Sequence, residues 1–125
     1  MNENDIGEML LGAAIKVHSA LGPGLLESAY ETCLVHEIGR QGVEVKRQVT
    51  LPLNYDGMKL DAGYRLDLLI GDRVIVELKS IEKILPVHAA QLMSYLKLSG
   101  LRLGYLLNFN VVHMRDGIKR MVNGL

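Results

Sequence analysis

Two short apolar segments, only three residues apart, constrain the fold of this chain more than any other feature of its sequence. Tyr64–Ile70 and Val74–Lys79 are both rich in leucine, isoleucine and valine. Successive side chains of a strand point to opposite faces, so both faces of these segments are apolar. Strands of this kind lie at the centre of a sheet. We therefore expect a sheet that is covered by other structure on both sides.

Helices are predicted on both sides of this pair in the chain. Apolar residues recur at helical spacing through residues 5–20, with Asn4 or Asp5 available as the N-terminal cap. A second helix is predicted from about Leu25 to Gln41, and a third from Pro86 to about Ser99. These helices supply the layers that a buried sheet requires.

The remaining segments predict further strands. Val43–Leu51 alternates between apolar and polar residues, as a half-buried strand does, and Asp56-Gly57 is a hairpin signal. Leu103–Phe109 is another apolar strand, and the tail Val111–Val122 contains a turn at Asp116-Gly117 followed by a short strand. The order of elements predicts one α/β sandwich domain with a mixed sheet, spanning all 125 residues.

Composition excludes several classes of protein. The 14 basic and 14 acidic residues cancel, which argues against nucleic-acid binding by bulk charge. The single cysteine, Cys33, cannot form an internal disulfide and favours a reducing compartment. The first five residues are polar and acidic, unlike a signal peptide, and no apolar stretch approaches the length of a membrane span. We expect a soluble, cytoplasmic protein with no membrane contact.

Charge is nevertheless distributed unevenly along the chain. Residues 96–125 contain five basic residues and one acidic residue, whereas residues 1–8 contain three acidic residues and no basic one. A basic C-terminal region is able to hold a phosphate backbone. The alternative is an ordinary solvated surface, since these basic residues are scattered.

Charged residues interrupt the central strands, where burial of an unpaired charge costs several kcal/mol. Asp67 lies in the first strand, and Glu77 and Lys79 share one face of the second. A two-residue loop between the strands would set Asp67 opposite Val76, with Glu77 on the wrong face. A three-residue loop or a bulge would set Asp67 opposite or diagonal to Glu77. A site formed by both carboxylates therefore requires the longer loop or a bulge.

Two carboxylates on one face form a hard-oxygen site that suits Mg²⁺ or Mn²⁺. A lysine beside them is able to orient or deprotonate a water molecule, or to offset charge on a phosphate. The alternative is that Glu77 and Lys79 form an ion pair on an exposed sheet edge. These residues alone leave both interpretations open.

The arrangement of Asp67, a strand-turn-strand and then Glu77-Leu78-Lys79 resembles the core motif of the PD-(D/E)XK nuclease superfamily. In addition, Gly24–Tyr30 is similar to the motif that names the GxxExxY proteins, a group placed in that superfamily. The resemblance runs from about Ile15 to Val122 and rests on Leu21–Glu27, Tyr64–Asp67, Val76–Lys79, Gln91–Leu96 and Asn108–Asn110.

The resemblance implies a restriction-endonuclease-like sandwich, with a mixed central β-sheet flanked by α-helices. It implies a metal-dependent nuclease that hydrolyses phosphodiester bonds of nucleic acid, DNA more than RNA, with Mg²⁺ or Mn²⁺ as cofactor. By the same resemblance Asp67 and Glu77 bind the metal, with the backbone carbonyl of Leu78 as a further ligand. Glu27 on a core helix completes the site, and Lys79 is the catalytic lysine.

Gln91 and Tyr95 match the Gln-x-x-x-Tyr motif of the RecB-like exonuclease branch, where these residues position DNA or the catalytic groups. With His88 they fall on one helical stripe, which we expect to line a cleft. That branch also has an upstream histidine that binds metal, and His18 matches it in chain order alone. A structural role for His18 is the competing interpretation.

Two other functions remain as alternatives. The chain could be a catalytically silent nuclease-fold module that binds nucleic acid or a protein partner without cutting. It could also be a purely structural protein whose charged residues form ion pairs. Small nucleases of this fold often pair two active sites to cut two strands, which favours a homodimer.

Overall fold

A mixed five-stranded sheet lies between helices in the computed structural model, which describes residues 1–60 and 63–125. This arrangement confirms the predicted α/β sandwich. In chain order the elements are α1 (Glu3–Leu21), α2 (Glu27–Gly39), β1 (Val45–Thr50), β2 (Leu53–Tyr55), β3 (Met58–Leu60), β4 (Arg65–Ile70), β5 (Val74–Lys79), α3 (Pro86–Ser99), β6 (Leu103–Asn108), a 3₁₀-helix (Met114–Gly117) and β7 (Ile118–Val122).

The order of strands in the sheet is β1-β4-β5-β6-β7, so the two predicted central strands lie inside it. Neighbouring strands are antiparallel except for β5 and β6, which are parallel and are connected through α3. The short strands β2 and β3 form a separate hairpin around the two-residue turn Asp56-Gly57, as that signal predicts. Asp56 and Gly57 both have positive φ, which is the backbone conformation of the tightest hairpin turns.

Each face of the sheet has its own apolar core. Helices α1 and α2 cover one face, and α3 covers the other, so the side chains of alternating strand positions are buried on both sides. The first core includes Leu10, Ala14, Val17, Tyr30, Leu34, Ile38, Leu68, Val76, Leu78, Leu107 and Phe109, and the second includes Leu51, Leu66, Ile75, Leu92, Tyr95, Leu96 and Leu106. Within the described residues, no helix combines the length and apolar character that a membrane crossing requires.

The ends of the first two helices differ from the prediction. Asn2, rather than Asn4 or Asp5, caps α1, and Asp5 completes a reciprocal capping box with it. Helix α2 spans Glu27–Gly39 instead of residues 25–41. Leu26, inside the predicted helix, has an extended backbone and a side chain that is 78% exposed, so it belongs neither to the helix nor to the core. Tertiary hydrogen bonds to the preceding loop, described below, hold the chain away from helical geometry there.

Replacing Gly117 with alanine is expected to lower the free energy of unfolding by on the order of 3 kcal/mol. A methyl group at this position would overlap the backbone carbonyl oxygen of Asn108 at the end of β6, and backbone cannot move aside as a flexible side chain can. Gly12→Ala is the matched control, because nothing lies within 4 Å of the added methyl group in the middle of α1. Urea unfolding should show the control to be neutral or slightly more stable. Equal stability of both variants would contradict the close approach at Gly117.

Candidate active site

The loop between β4 and β5 has the length that the carboxylate site requires. It consists of the three residues Gly71–Arg73, and Leu68 faces Val76 across the two antiparallel strands. Continuing this register by one residue places Asp67 directly opposite Glu77. The alternative two-residue loop, which would have separated these side chains to opposite faces, is therefore not the one that forms.

Side chains replace the regular backbone ladder where Asp67 and Glu77 meet. The backbone N–H of Asp67 donates to Oε2 of Glu77 at 2.9 Å, and the backbone N–H of Leu78 donates to Oδ2 of Asp67 at 2.8 Å. The flanking residues Leu66 and Leu68 pack into different cores, although they are two positions apart. The regular alternation of side chains along β4 is therefore broken at Asp67, and both carboxyl groups accept hydrogen bonds from backbone N–H groups.

Glu77 is 6% exposed, and its environment opposes ionisation. Burial raises the pKa of its carboxyl group from 4.5 to about 8, the nearby charge of Asp67 adds to the rise, and the Lys79 ammonium opposes it. Burial also raises the pKa of the Tyr95 hydroxyl, with Glu77 as the next contributor. Glu77 thus lies between Asp67 on one side and Tyr95 of α3 on the other.

Asp67 also lines a small cavity, of about 200 Å³, between the sheet and α2. Glu27, in the first turn of α2, and Leu78 line it as well. Glu77 does not line it, so the structure brings Asp67 close to both of the other predicted carboxylate ligands without gathering all three around one point. The remaining lining residues are Ser28, Glu31 and Gln48.

The donor set of this cavity fits a hard divalent cation. Across residues 1–60 and 63–125, no group of three or more histidine, cysteine, aspartate or glutamate side chains could hold a metal ion. Magnesium, however, is usually bound through one or two carboxylates and keeps several water molecules. Asp67 with Glu27, or Asp67 with Glu77, meets that need, and backbone carbonyl oxygen is a further suitable donor.

Two contacts fix the start of α2 beside the end of β5. The Tyr30 hydroxyl donates to the Gly22 carbonyl at 2.6 Å and accepts from the Leu25 N–H at 3.1 Å. Its ring stacks on Phe109 at a centroid distance of 4.4 Å, as expected of a packing residue with a bonded hydroxyl. The Ser80 hydroxyl donates to the Leu25 carbonyl at 2.6 Å. These bonds hold the segment that leads into Glu27 against the strand that carries Lys79.

Lys79 is half-buried at the end of β5, which is an inner strand rather than a sheet edge. None of the ion pairs in the described part of the chain includes Lys79, Glu77 or Asp67. The alternative of an ion pair on an exposed edge is therefore wrong. The Lys79 ammonium is close enough to Glu77 to affect its pKa, yet it is not held in a direct contact with it.

The predicted stripe on α3 is only partly directed toward the carboxylates. Tyr95 is buried and contacts the Tyr64 ring edge-on at a centroid distance of 6.2 Å. Gln91, one turn earlier, is exposed. His88 accepts a hydrogen bond from the Leu85 N–H at 2.9 Å and so caps the helix, which gives it a local role instead of a place in the cleft.

His18 has a structural role. Its Nε2 lies 2.7 Å from the Val111 carbonyl oxygen, and its ring packs near Phe109 at 6.4 Å. The side chain is buried and does not line the cavity beside Asp67. Of the two interpretations of His18, the structure favours the packing residue.

Sequence analysis did not identify three polar residues near the cavity, Glu31, Arg47 and Gln48, as members of the site. Glu31, one turn after Glu27, accepts from Arg47 at 2.9 Å and from Gln48 at 2.8 Å. Only the four-residue spacing of Glu27 and Glu31 was visible in the sequence. The partners of Glu31 on β1 depend on how the helix packs on the sheet, which local spacing does not reveal.

Comparison with known proteins gives one match. The family model described as the PD-(D/E)XK nuclease superfamily matches residues 4–121 of the chain. A search of curated proteins and a search of solved structures found no significant match. The match covers every helix of the sandwich almost completely, as well as Asp67, Glu77 and Lys79.

Proposed function

Because the chain belongs to the PD-(D/E)XK nuclease superfamily, we propose that it is a divalent-metal-dependent nuclease that hydrolyses phosphodiester bonds in nucleic acid. The observation that carries this proposal is the contact between Asp67 and Glu77 on adjacent inner strands, where the Asp67 N–H donates to the Glu77 carboxyl group at 2.9 Å and the Leu78 N–H donates to the Asp67 carboxyl group at 2.8 Å. Buried carboxylates in contact repel each other unless a proton or a cation lies between them. Such a pair is better suited to holding a metal than to stabilising a core.

Asp67 would bind Mg²⁺ or Mn²⁺ together with the carboxylate of Glu77 or of Glu27, and the carbonyl of Leu78 would be a further ligand. When bound, the cation supplies activation of water and stabilisation of the charge that develops on the phosphate. Glu77 must lose its proton first, since the raised pKa keeps it largely neutral at pH 7. Metal binding is thus expected to release a proton from this residue and to strengthen toward pH 8.

Lys79 would assist the attacking water, since its ammonium lies near Glu77 without a fixed ion-pair partner in the described residues. Tyr95 would position Glu77 from the α3 side, and the exposed Gln91, one turn earlier, would contact nucleic acid. The Gln-x-x-x-Tyr spacing supports features of the RecB-like branch, and with it DNA as the preferred substrate. Gly24–Tyr30 supports membership of the GxxExxY group.

A homodimer is also part of this proposal, since two copies would bring one active site to each strand of a duplex. Exposed apolar side chains favour association. Leu26 and Val112 are 78% and 81% exposed, and Leu26 directly precedes α2, next to the candidate site.

The experiment that tests the proposal is a cleavage assay with Mg²⁺ or Mn²⁺ on single- and double-stranded DNA and RNA. Lys79→Ala is expected to lower the cleavage rate by about 10²–10⁴-fold, the usual contribution of a positioned proton-transfer group. Lys59→Ala is the matched control, because Lys59 is an exposed lysine of the separate β2–β3 hairpin. The control variant should cleave at the wild-type rate.

Two results would contradict this proposal. Intact substrates in every condition, with salt-dependent binding of DNA, would instead support a module that binds nucleic acid without cutting it. Cleavage that survives unchanged in Lys79→Ala would show that the activity has another source.

A further inference from the structure

Gln48 has an unusual backbone at the point where β1 passes the candidate site. Its φ is +50°, in the left-handed region that residues with a side chain rarely adopt. It lies between the pairs Arg47–Leu68 and Val49–Leu66, and is therefore the neighbour of Asp67 in the adjacent strand. A strained residue inside a strand persists only when its surroundings hold it there, and such residues cluster at functional sites.

The side chain of Gln48 is held by Glu31. The Gln48 Nε2 donates to Oε1 of Glu31 at 2.8 Å, while Nε and Nη2 of Arg47 donate to Oε2 of Glu31 at 3.2 and 2.9 Å. Glu31 is 8% exposed and has both carboxylate oxygens engaged, with its charge balanced by Arg47. It is thus an anchor for Gln48 rather than a free ligand in the cavity.

This anchoring leaves one group of Gln48 available. Its amide nitrogen is committed to Glu31, and its Oε1 makes no hydrogen bond to another residue of the described chain. Gln48 lines the same cavity of about 200 Å³ as Asp67 and Glu27. Ser28 also lines it, but no hydrogen bond to a described residue fixes its hydroxyl.

We propose that the amide oxygen of Gln48, oriented by Glu31, is a neutral ligand of the divalent cation in the cavity lined by Asp67 and Glu27. The inference rests on the proposed function and adds a residue to it. The described side chains contain no set of three histidine, cysteine or acidic groups for a metal, so further protein ligands have to be neutral oxygens. Amide oxygens are suitable donors for hard divalent cations. A neutral donor also adds no negative charge beside two carboxylates.

Calorimetric titration of Mn²⁺ into metal-free protein tests the inference, with thermal unfolding of the same samples as the second readout. Gln48→Gly relieves the left-handed backbone and removes the amide, so it should raise the melting temperature while weakening Mn²⁺ affinity by roughly ten-fold or more. Gln48→Ala should weaken affinity equally without the gain in melting temperature. Gln41→Ala, at an exposed turn outside the cavity, is the matched control and should bind as wild type does.

The outcomes separate this inference from the proposed function. Wild-type affinity in Gln48→Gly would overturn the inference alone, because Gln48 would then have only a structural role. An absence of Mn²⁺ binding to the wild-type protein would overturn the inference together with the metal dependence of the proposed nuclease.

Discussion

Replacing Asp67 with asparagine is expected to abolish Mn²⁺ binding and to lower phosphodiester cleavage by about 10²–10³-fold, the usual cost of removing one charge-stabilising group from an active site. Asp67 contacts Glu77 and lines the same cavity as Glu27, so it is common to every pair of carboxylates that could hold the cation. Its replacement leaves no such pair. The loss should therefore exceed that of any other single ligand.

The asparagine variant is chosen because it preserves the local structure. Its side-chain oxygen still accepts from the N–H of Leu78, the bond that Asp67 makes at 2.8 Å. Asp72→Asn is the matched control, since Asp72 is an exposed aspartate of the β4–β5 loop and asparagine tolerates its positive φ. Calorimetry and the cleavage assay should separate the two variants. Normal Mn²⁺ affinity in Asp67→Asn would rule out the carboxylate pair as the metal site.

The metal-free protein is expected to become less stable as the pH rises from about 5 to 8, and Glu77→Gln is expected to remove this loss. The pKa of Glu77 is about 8 in the folded protein and close to 4.5 when the chain is unfolded. Between these values the folded state binds the extra proton, so the free energy of unfolding falls as pH increases. The contribution is fully present below pH 4.5 and is gone above pH 8.

The expected effect is large for one residue. A difference of one unit between folded and unfolded pKa corresponds to about 1.4 kcal/mol, so Glu77→Gln should be more stable than wild type at pH 8 by on the order of 4 kcal/mol. Glutamine preserves the acceptor for the N–H of Asp67 and places its amide N–H₂ toward the neighbouring carboxylate. Because the glutamine side chain is neutral, no buried charge has to form at this position as the pH rises.

Urea unfolding at pH 5, 7 and 8.5 measures the difference, with and without Mn²⁺. The two proteins should converge in stability near pH 5 and diverge above it. Added Mn²⁺ should stabilise the wild-type protein at pH 8.5 more than the variant, because ligands that bind only the folded state raise its stability and the variant lacks one of the proposed carboxylate ligands. Parallel stability curves over this range would contradict the raised pKa of Glu77.

The sequence was sufficient to predict the class of the fold and one decisive feature of the site. Apolar patterns of period two and of helical spacing identified the inner strands and the covering helices. The requirement for either a three-residue loop or a bulge followed from strand alternation, and the pairing of Leu68 with Val76 shows the three-residue loop. Predictions of this kind succeed because they depend on local geometry and on the need to bury both faces of a sheet.

The details that failed depend on contacts between distant parts of the chain. The start of α2 moves to Glu27 because Tyr30 holds the Leu25 N–H, and no helix pattern contains that information. The left-handed backbone of Gln48 is maintained by Glu31, 17 residues earlier in the chain. Likewise, the side chain of Asp67 faces the cavity beside α2, while Glu77 lies near Tyr95. Such features depend on how distant segments of the chain pack together, which the periodicity of apolar residues does not reveal.

The three-residue loop Gly71–Arg73 has a consequence for how this protein tolerates insertions and deletions. Surface loops usually accept a change in length at little thermodynamic cost. Here the loss or gain of one residue would shift the register of β4 against β5 and turn every side chain of one strand to the other face. A chain altered in this way would no longer set Asp67 directly opposite Glu77 in the neighbouring strand. The shortest connection in the sheet is therefore expected to be among the segments least tolerant of a change in length.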